Sequence, residues 1–173
     1  MEYEHAFYQS STVLPDNLSL DDYRHEYYKT NRNTGVVVDY TPSGGTDGTQ
    51  PTFDGDPLFT GSYVLLGNVV HFEIQAAFTN VTSFGTGQYY LTLPFDVRYE
   101  YMFRDGCLHD ASASRIYHIS GEVEAGSSHL LLYTTDRQGN RLYDFAFDKD
   151  EPVTLATADN FHIAGTYIVD DTV

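Results

Sequence analysis

The chain has 173 residues and a mass of 19.5 kDa, enough for one domain of ordinary size with an arm or a linker. Its 25 acidic residues against nine basic ones give a formal charge of −16, which argues against binding nucleic acid or docking on an anionic membrane, since both need clustered Lys and Arg. A single cysteine, Cys107, excludes an intramolecular disulfide and a multi-cysteine zinc site, and no apolar run approaches the ~20 residues of a membrane span.

The first residues, Met-Glu-Tyr-Glu-His, lack the basic start and apolar core of a secretory signal. Fifteen tyrosines and eleven phenylalanines without a tryptophan point to a globular, β-rich chain. Residues 1–41 form a polar-aromatic arm. Ser19 to Asp22 fits a capped helix start. Leu20, Tyr23 and Tyr27 follow at helical spacing, so a short helix is expected near 19–29. Three turns are not stable alone, so this helix must pack on its own domain or on a partner. A short strand, Val36-Val37-Val38, follows Gly35. Residues 42–57 are dense in Gly, Pro, Asp and Thr and read as a linker or extended loop.

Residues 58–173 are patterned as short strands. Ser62–Leu66 and Asn68–Phe78 flank Gly67. In the second of these, Val70, Phe72, Ile74 and Ala76 alternate with His71, Glu73 and Gln75, the period of a strand with one buried face. Tyr89–Phe95 is a further strand. Arg98–Phe103 and Cys107–His109 bracket Arg104-Asp105-Gly106, an Asp-Gly hairpin signal. Arg115–Glu124 alternates again. His129–Thr134 and Leu142–Phe147 bracket a second turn at 136–140. Val153–Ala156 and Phe161–Val169 close the series. Eight to ten such strands imply an all-β fold, an antiparallel sandwich of jelly-roll type.

The stretches Tyr63–Val70, Thr82-Ser-Phe-Gly85-Thr-Gly87-Gln-Tyr89-Tyr-Leu-Thr-Leu93-Pro94-Phe95, Phe103–Leu108, Tyr117–Gly121 and Asp159–Tyr167 together resemble the β-jelly-roll domain of tailed-bacteriophage virion proteins. These include head decoration or head-fibre proteins and minor tail and tail-tip proteins. The resemblance covers about 58–169. It implies a sandwich similar to the tumour-necrosis-factor fold, assembled as a homotrimer. It also implies a non-enzymatic role in the virion, with other virion proteins, a major capsid or tail protein, as partners. Taken as a complete chain without a long stalk, the sequence suggests a trimeric capsid decoration protein attached through its N-terminal arm. The alternative is a minor tail, tail-tip or fibre protein that binds a host-surface receptor, for example a glycan.

No motif organises the seven histidines into a catalytic or metal site, and no cofactor is expected. His71 with Glu73, and His118 with Ser120, are each two apart and share a strand face; they suit a metal or acid–base pair, or a polar sheet face. Gly85-Thr-Gly87 precedes a strand rather than a helix, so it lacks the amides of a phosphate cradle. Asp54-Gly55-Asp56, with Asp39 and Asp47, offers calcium-type oxygens but not the EF-hand spacing. Cys107 reads as a half-buried strand cysteine. Tyr89, Tyr99, Tyr101 and Tyr117 on the sandwich raise sugar binding, against packing in the core or at a trimer contact. The partner surface best marked in the sequence is the arm, through Tyr3, Phe7, Tyr8, Tyr23, Tyr27, Tyr28 and Tyr40, because tyrosine buries large area with few rotors. Residues 1–57 carry 10 acidic and 3 basic residues, so a partner of the arm should be basic or bury these rings.

Overall fold

The computed structural model describes residues 33–56, 58–138 and 141–169. The helix expected near 19–29 lies outside these residues. The described chain is all β. Its strands are β1 (Asn33–Tyr40), β2 (Gly44–Thr46), β3 (Thr52–Phe53), β4 (Leu58–Leu66), β5 (Val69–Ala77), β6 (Val81–Ser83), β7 (Tyr89–Thr92), β8 (Tyr101–Asp110), β9 (Arg115–Val123), β10 (His129–Gln138), β11 (Arg141–Ala146) and β12 (Asn160–Ile168).

One antiparallel sheet runs in the order β1-β4-β5-β12-β8-β9-β10-β7-β2, with β11 also on β10; β3 and β6 form a separate pair. The first and last strands of that order, β1 and β2, are joined by only Thr41, Pro42 and Ser43. Three residues reach roughly 10 Å, so the sheet must curl until its ends meet. They do meet: Tyr40 Oη on β1 donates to Thr92 O on β7 (3.4 Å), and Ser43 extends the β2–β7 pairing, its N donating to Thr92 Oγ1 (2.9 Å) and its O accepting from Thr92 N (2.9 Å). The result is a curled half-barrel, consistent with a β-sandwich of jelly-roll type.

The concave face holds the core. On β5 the alternation read from the sequence is realised, with Val70, Phe72, Ile74 and Ala76 buried between exposed neighbours. Aromatic rings are packed among aliphatic side chains. Phe72 meets Phe103 edge-on at 5.0 Å and Tyr167 at 5.9 Å, while Phe78, Tyr89, Phe147 and Phe161 form a second group. Such edge-to-face pairs add about 0.5–1.5 kcal/mol each beyond the area buried. The ring-rich core suits a chain without tryptophan.

Three sequence expectations are corrected. Arg104-Asp105-Gly106 is not a hairpin turn. β8 runs through it, paired with β9 and β12 on both sides, and the register shifts between Phe103 and Gly106. The additional residue is accommodated as a bulge that leaves Arg104 and Asp105 exposed. Gly106 is required there by close approach, since a Cβ would lie 2.7 Å from Ile119 O. The true β8–β9 turn is Ala111–Ser114, where Ser114 has a positive φ of 52° and Asp110 accepts from Ser112 and Ala113.

Val153–Ala156 forms no strand. It belongs to a loop closed on itself by Leu155 N to Lys149 O (2.8 Å) and Asp159 N to Ala156 O (3.0 Å), with Leu155 buried as its anchor. The segment 42–57, read as a linker, lies against the sheet instead. β2 pairs with β7, β3 pairs with β6, and Thr46 is buried. Its backbone is bonded by side chains of 80–92, with Ser43 N and Thr49 N donating to Thr92 Oγ1 and Thr86 Oγ1 and Asp56 O accepting from Asn80 Nδ2, and Thr52 Oγ1 meets Thr82 Oγ1.

Candidate functional site

The convex face of the sheet is polar around the middle of β4, β5 and β12. Cross-strand register sets its side chains in rows. Asp39, Ser62 and Glu73 are aligned across β1, β4 and β5. Thr60, Gln75 and His162 are aligned across β4, β5 and β12, and Leu58, Ala77 and Asn160 form the next row. Between these rows lie two adjoining depressions. One, of about 200 Å³, is lined by Asp39, Thr60, Gly61, Ser62, Glu73 and Gln75. The other, of about 440 Å³, is lined by Leu58, Thr60, Gln75, Ala76, Ala77 and Asn160. Thr60 and Gln75 border both. Hydroxyl, amide and carboxylate groups thus converge on one shallow, open surface, a donor–acceptor set suited to a polyhydroxylated ligand.

His162 Nε2 lies 3.1 Å from Glu73 Oε1 at the margin of this surface. His71 and Glu73 share the face as expected from their spacing, yet each has its own partner across the strand gap. Thr166 Oγ1 is 2.7 Å from His71 Nδ1, so the two residues do not form a pair with each other. His118 and Ser120 are likewise separated. His118 Nε2 is 2.7 Å from Arg104 O, and Ser120 is buried. Cys107 is half-buried in the middle of β8, between His162 on β12 and His118 on β9 by register. Among the described residues no group of three or more His, Cys, Asp or Glu side chains is arranged to hold a metal ion.

The Gly85-Thr86-Gly87 turn is used for packing. Thr86 N donates to Thr49 O (2.9 Å), Thr49 N donates to Thr86 Oγ1 (3.1 Å), and Asp47 Oδ1 accepts from Gln88 N (2.7 Å). Side chains at either glycine would strike Thr49 O or Asp47 Oδ1 at 2.1 Å. The turn therefore seats the 47–50 segment. In Asp54-Gly55-Asp56 the two flanking carbonyls accept from Asn80 Nδ2, at 3.3 and 2.6 Å.

The tyrosines divide sharply. Tyr89 is a core residue rather than a surface one. Its hydroxyl donates to Phe84 O, and burial, with Asp148 second, raises its pKa above the usual tyrosine range. Tyr101 stacks on Phe103, and Tyr117 is partly buried against the core. Tyr99 alone of these four is well exposed, with the Arg98 guanidinium over its ring at 5.5 Å. Of the seven arm aromatics, Tyr40 is described. It packs edge-on against Tyr63 at the seam of the sheet, and burial raises its pKa. Tyr3, Phe7, Tyr8, Tyr23, Tyr27 and Tyr28 lie outside the described residues. The convex depressions were missed from sequence because Asp39, Thr60, Gln75 and Asn160 are far apart in the chain; only β pairing unites them.

No family model matches the sequence, and no curated protein does. Among solved structures the chain is similar to the crystal structure of the Dettilon tailspike protein (gp208), with a TM-score of 0.51. The fold resembles part of a tailspike protein. The identity is 17%, over 77% of this chain and 23% of the tailspike chain, so the likeness is one of fold, and this chain spans about a quarter of the tailspike's length.

Proposed function

We propose that this chain is a non-enzymatic tailed-phage virion protein of the tail, a tail-tip or fibre component that contacts a host-surface receptor. The observation that carries this reading is the fold shared with a segment of a tailspike protein. The sequence resemblance of 58–169 to phage jelly-roll domains supports it independently of the fold. Since the shared fold belongs to a tailspike, the tail reading is favoured over capsid decoration. In this reading the chain assembles as a homotrimer, joins other virion proteins through the arm ahead of β1, and presents its convex face outward. The depressions around Thr60 and Gln75 are then the receptor surface, with glycan hydroxyls matching their polar side chains.

Electron microscopy of particles labelled with an antibody to this chain tests the reading. Label confined to the tail end, at a few copies per particle, is the expected result. Hundreds of copies over the head would establish decoration instead, and unlabelled particles would remove the virion assignment. For the receptor surface, Thr60→Arg with Gln75→Arg should abolish binding of the purified protein to host cells while leaving its melting temperature within a few degrees of wild type. Undiminished cell binding by that variant would move the receptor site elsewhere.

A further inference from the structure

We propose that the β1 edge of the sheet is the surface on which a second copy of this chain docks. This rests on the assembly reading above and assigns it a place. Val36, Val37 and Val38 are 59, 63 and 39% exposed, and Leu66, at the adjoining end of β4, is 44% exposed. Val37 pairs with Val64, and a Cβ built at Gly35 would sit 3.4 Å from Leu66 Cδ2, so Val37, Val64 and Leu66 share one face of the sheet margin while Val36 and Val38 lie on the other, and the edge is apolar on both faces. The other exposed apolar side chains lie away from this end of the edge: Leu58 at the far end of β4, Ile116 on β9, Met102 with its Sδ accepting from Arg104, and Tyr99 with Arg98 over its ring. Scattered apolar residues are ordinary surface, whereas a contiguous patch marks an interaction site.

The edge itself is open. Among the described residues β1 pairs only with β4, leaving its other side without a strand partner. Natural edges are blunted by lysine, proline or inward charge. β1 has no lysine or proline, and its one charged residue is Asp39. The opposite end of the sheet is closed by contrast. There Thr46 N donates to Gln50 Oε1 (3.2 Å) and Gln50 Nε2 donates to Thr46 O (2.6 Å), so a side-chain amide occupies the place of a further strand.

Charge selects the occupant. Copies of a chain with formal charge −16 repel one another wherever their acidic surfaces face. Across β1 and β4 the one charged residue is Asp39, so this edge is where like copies can approach and bury apolar surface without opposing carboxylates. A basic partner would gain nothing from this surface and would be drawn to the acidic remainder.

The test uses the full chain at micromolar concentration, with mass read by light scattering and folding by circular dichroism and thermal melting. Wild type is expected to be oligomeric. Val37→Lys should weaken association at least about 10-fold, because a lysine buried in an apolar contact has no partner. The milder Val36→Ser with Val37→Ser pair should do the same if the lysine disturbs the strand. Ile116→Lys, at an exposed residue on β9, should leave the mass unchanged. An oligomeric wild type whose β1 variants keep its mass would overturn the docking surface and leave assembly standing. Equal dissociation by Ile116→Lys would also overturn it, by showing a general charge effect. A monomeric wild type would remove both the surface and the trimer.

Discussion

Replacing Asp159 by alanine isolates what a buried carboxylate contributes to this fold. Asp159 is 1% exposed. Its Oδ1 accepts from Ala111 N at 3.0 Å and its Oδ2 from Ala156 N at 2.8 Å. The same residue's carbonyl accepts from Phe78 N at 3.1 Å. One residue thus ties together the end of β5, the β8–β9 turn and the loop before β12. Alanine keeps the backbone bond and strands two amides away from water. Each unmet donor costs about 1–3 kcal/mol, so the loss should be roughly 3 kcal/mol and the melting temperature should fall by about 6–12 °C. Asp148 provides the comparison. Its Oδ1 also accepts from two amides, Asp150 N at 2.7 Å and Glu151 N at 2.9 Å, but at an exposed turn. Water can replace that carboxylate, so Asp148→Ala should cost about 0.5–1.5 kcal/mol. Both variants would be followed by thermal melting and by urea titration. If Asp159→Ala cost no more than Asp148→Ala, burial would not be the source of the effect, and the reasoning would fail.

Further outcomes are expected from the packing and the ionisable groups. Gly165→Ala should destabilise by about 1–3 kcal/mol, because the added Cβ would lie 2.3 Å from Phe103 Cδ1 and 2.9 Å from Phe72 Cε1; a melting temperature equal to wild type would show that these rings yield freely. The carboxyl of Asp110 is held below its usual range, chiefly by the Ser112 hydroxyl and then by the Ala113 amide. Its contribution is therefore present above the unfolded carboxylate range and is lost as pH falls through its folded value, so Asp110→Asn should lose less stability than wild type between pH 7 and pH 3, measured by melting. Burial raises Tyr40, Tyr89 and Tyr167 above the usual tyrosine range. Their stabilising effect is full below about pH 10 and declines as pH rises. An alkaline absorbance titration should show these three tyrosines ionising late, together with unfolding; early, reversible ionisation of the whole tyrosine set would contradict their burial.

Much of the fold was legible because strand period and core composition are local properties. The alternation of Val70, Phe72, Ile74 and Ala76 requires one buried face whatever surrounds it, and the structure buries those four. Gly67, flanked by the strands expected at 62–66 and 68–78, turns β4 into β5 with a φ of 60°. The Asp105-Gly106 signal misled because a dipeptide carries turn propensity but no information about its neighbours. With β9 and β12 continuing on both sides, the backbone keeps more hydrogen bonds by bulging than by reversing. The glycine-rich 42–57 segment misled for a related reason. Gly44 lies where a side chain would meet Phe59 at 2.8 Å, so its smallness serves close packing that local sequence does not reveal.

By itself, the sequence determined that the chain is β, acidic, rich in aromatic core residues and without an organised catalytic motif. These follow from composition and from a period of two, which any strand must obey. Tertiary structure decided which strands are neighbours, and hence everything that depends on neighbours. It made Tyr89 a core ring rather than a surface one. It assembled Thr60, Gln75 and Asn160 into one polar surface. It also left Val36–Val38 on an open edge while closing the other end with Gln50. The reason is that cross-strand register joins residues tens of positions apart, and local propensity carries no term for such pairing.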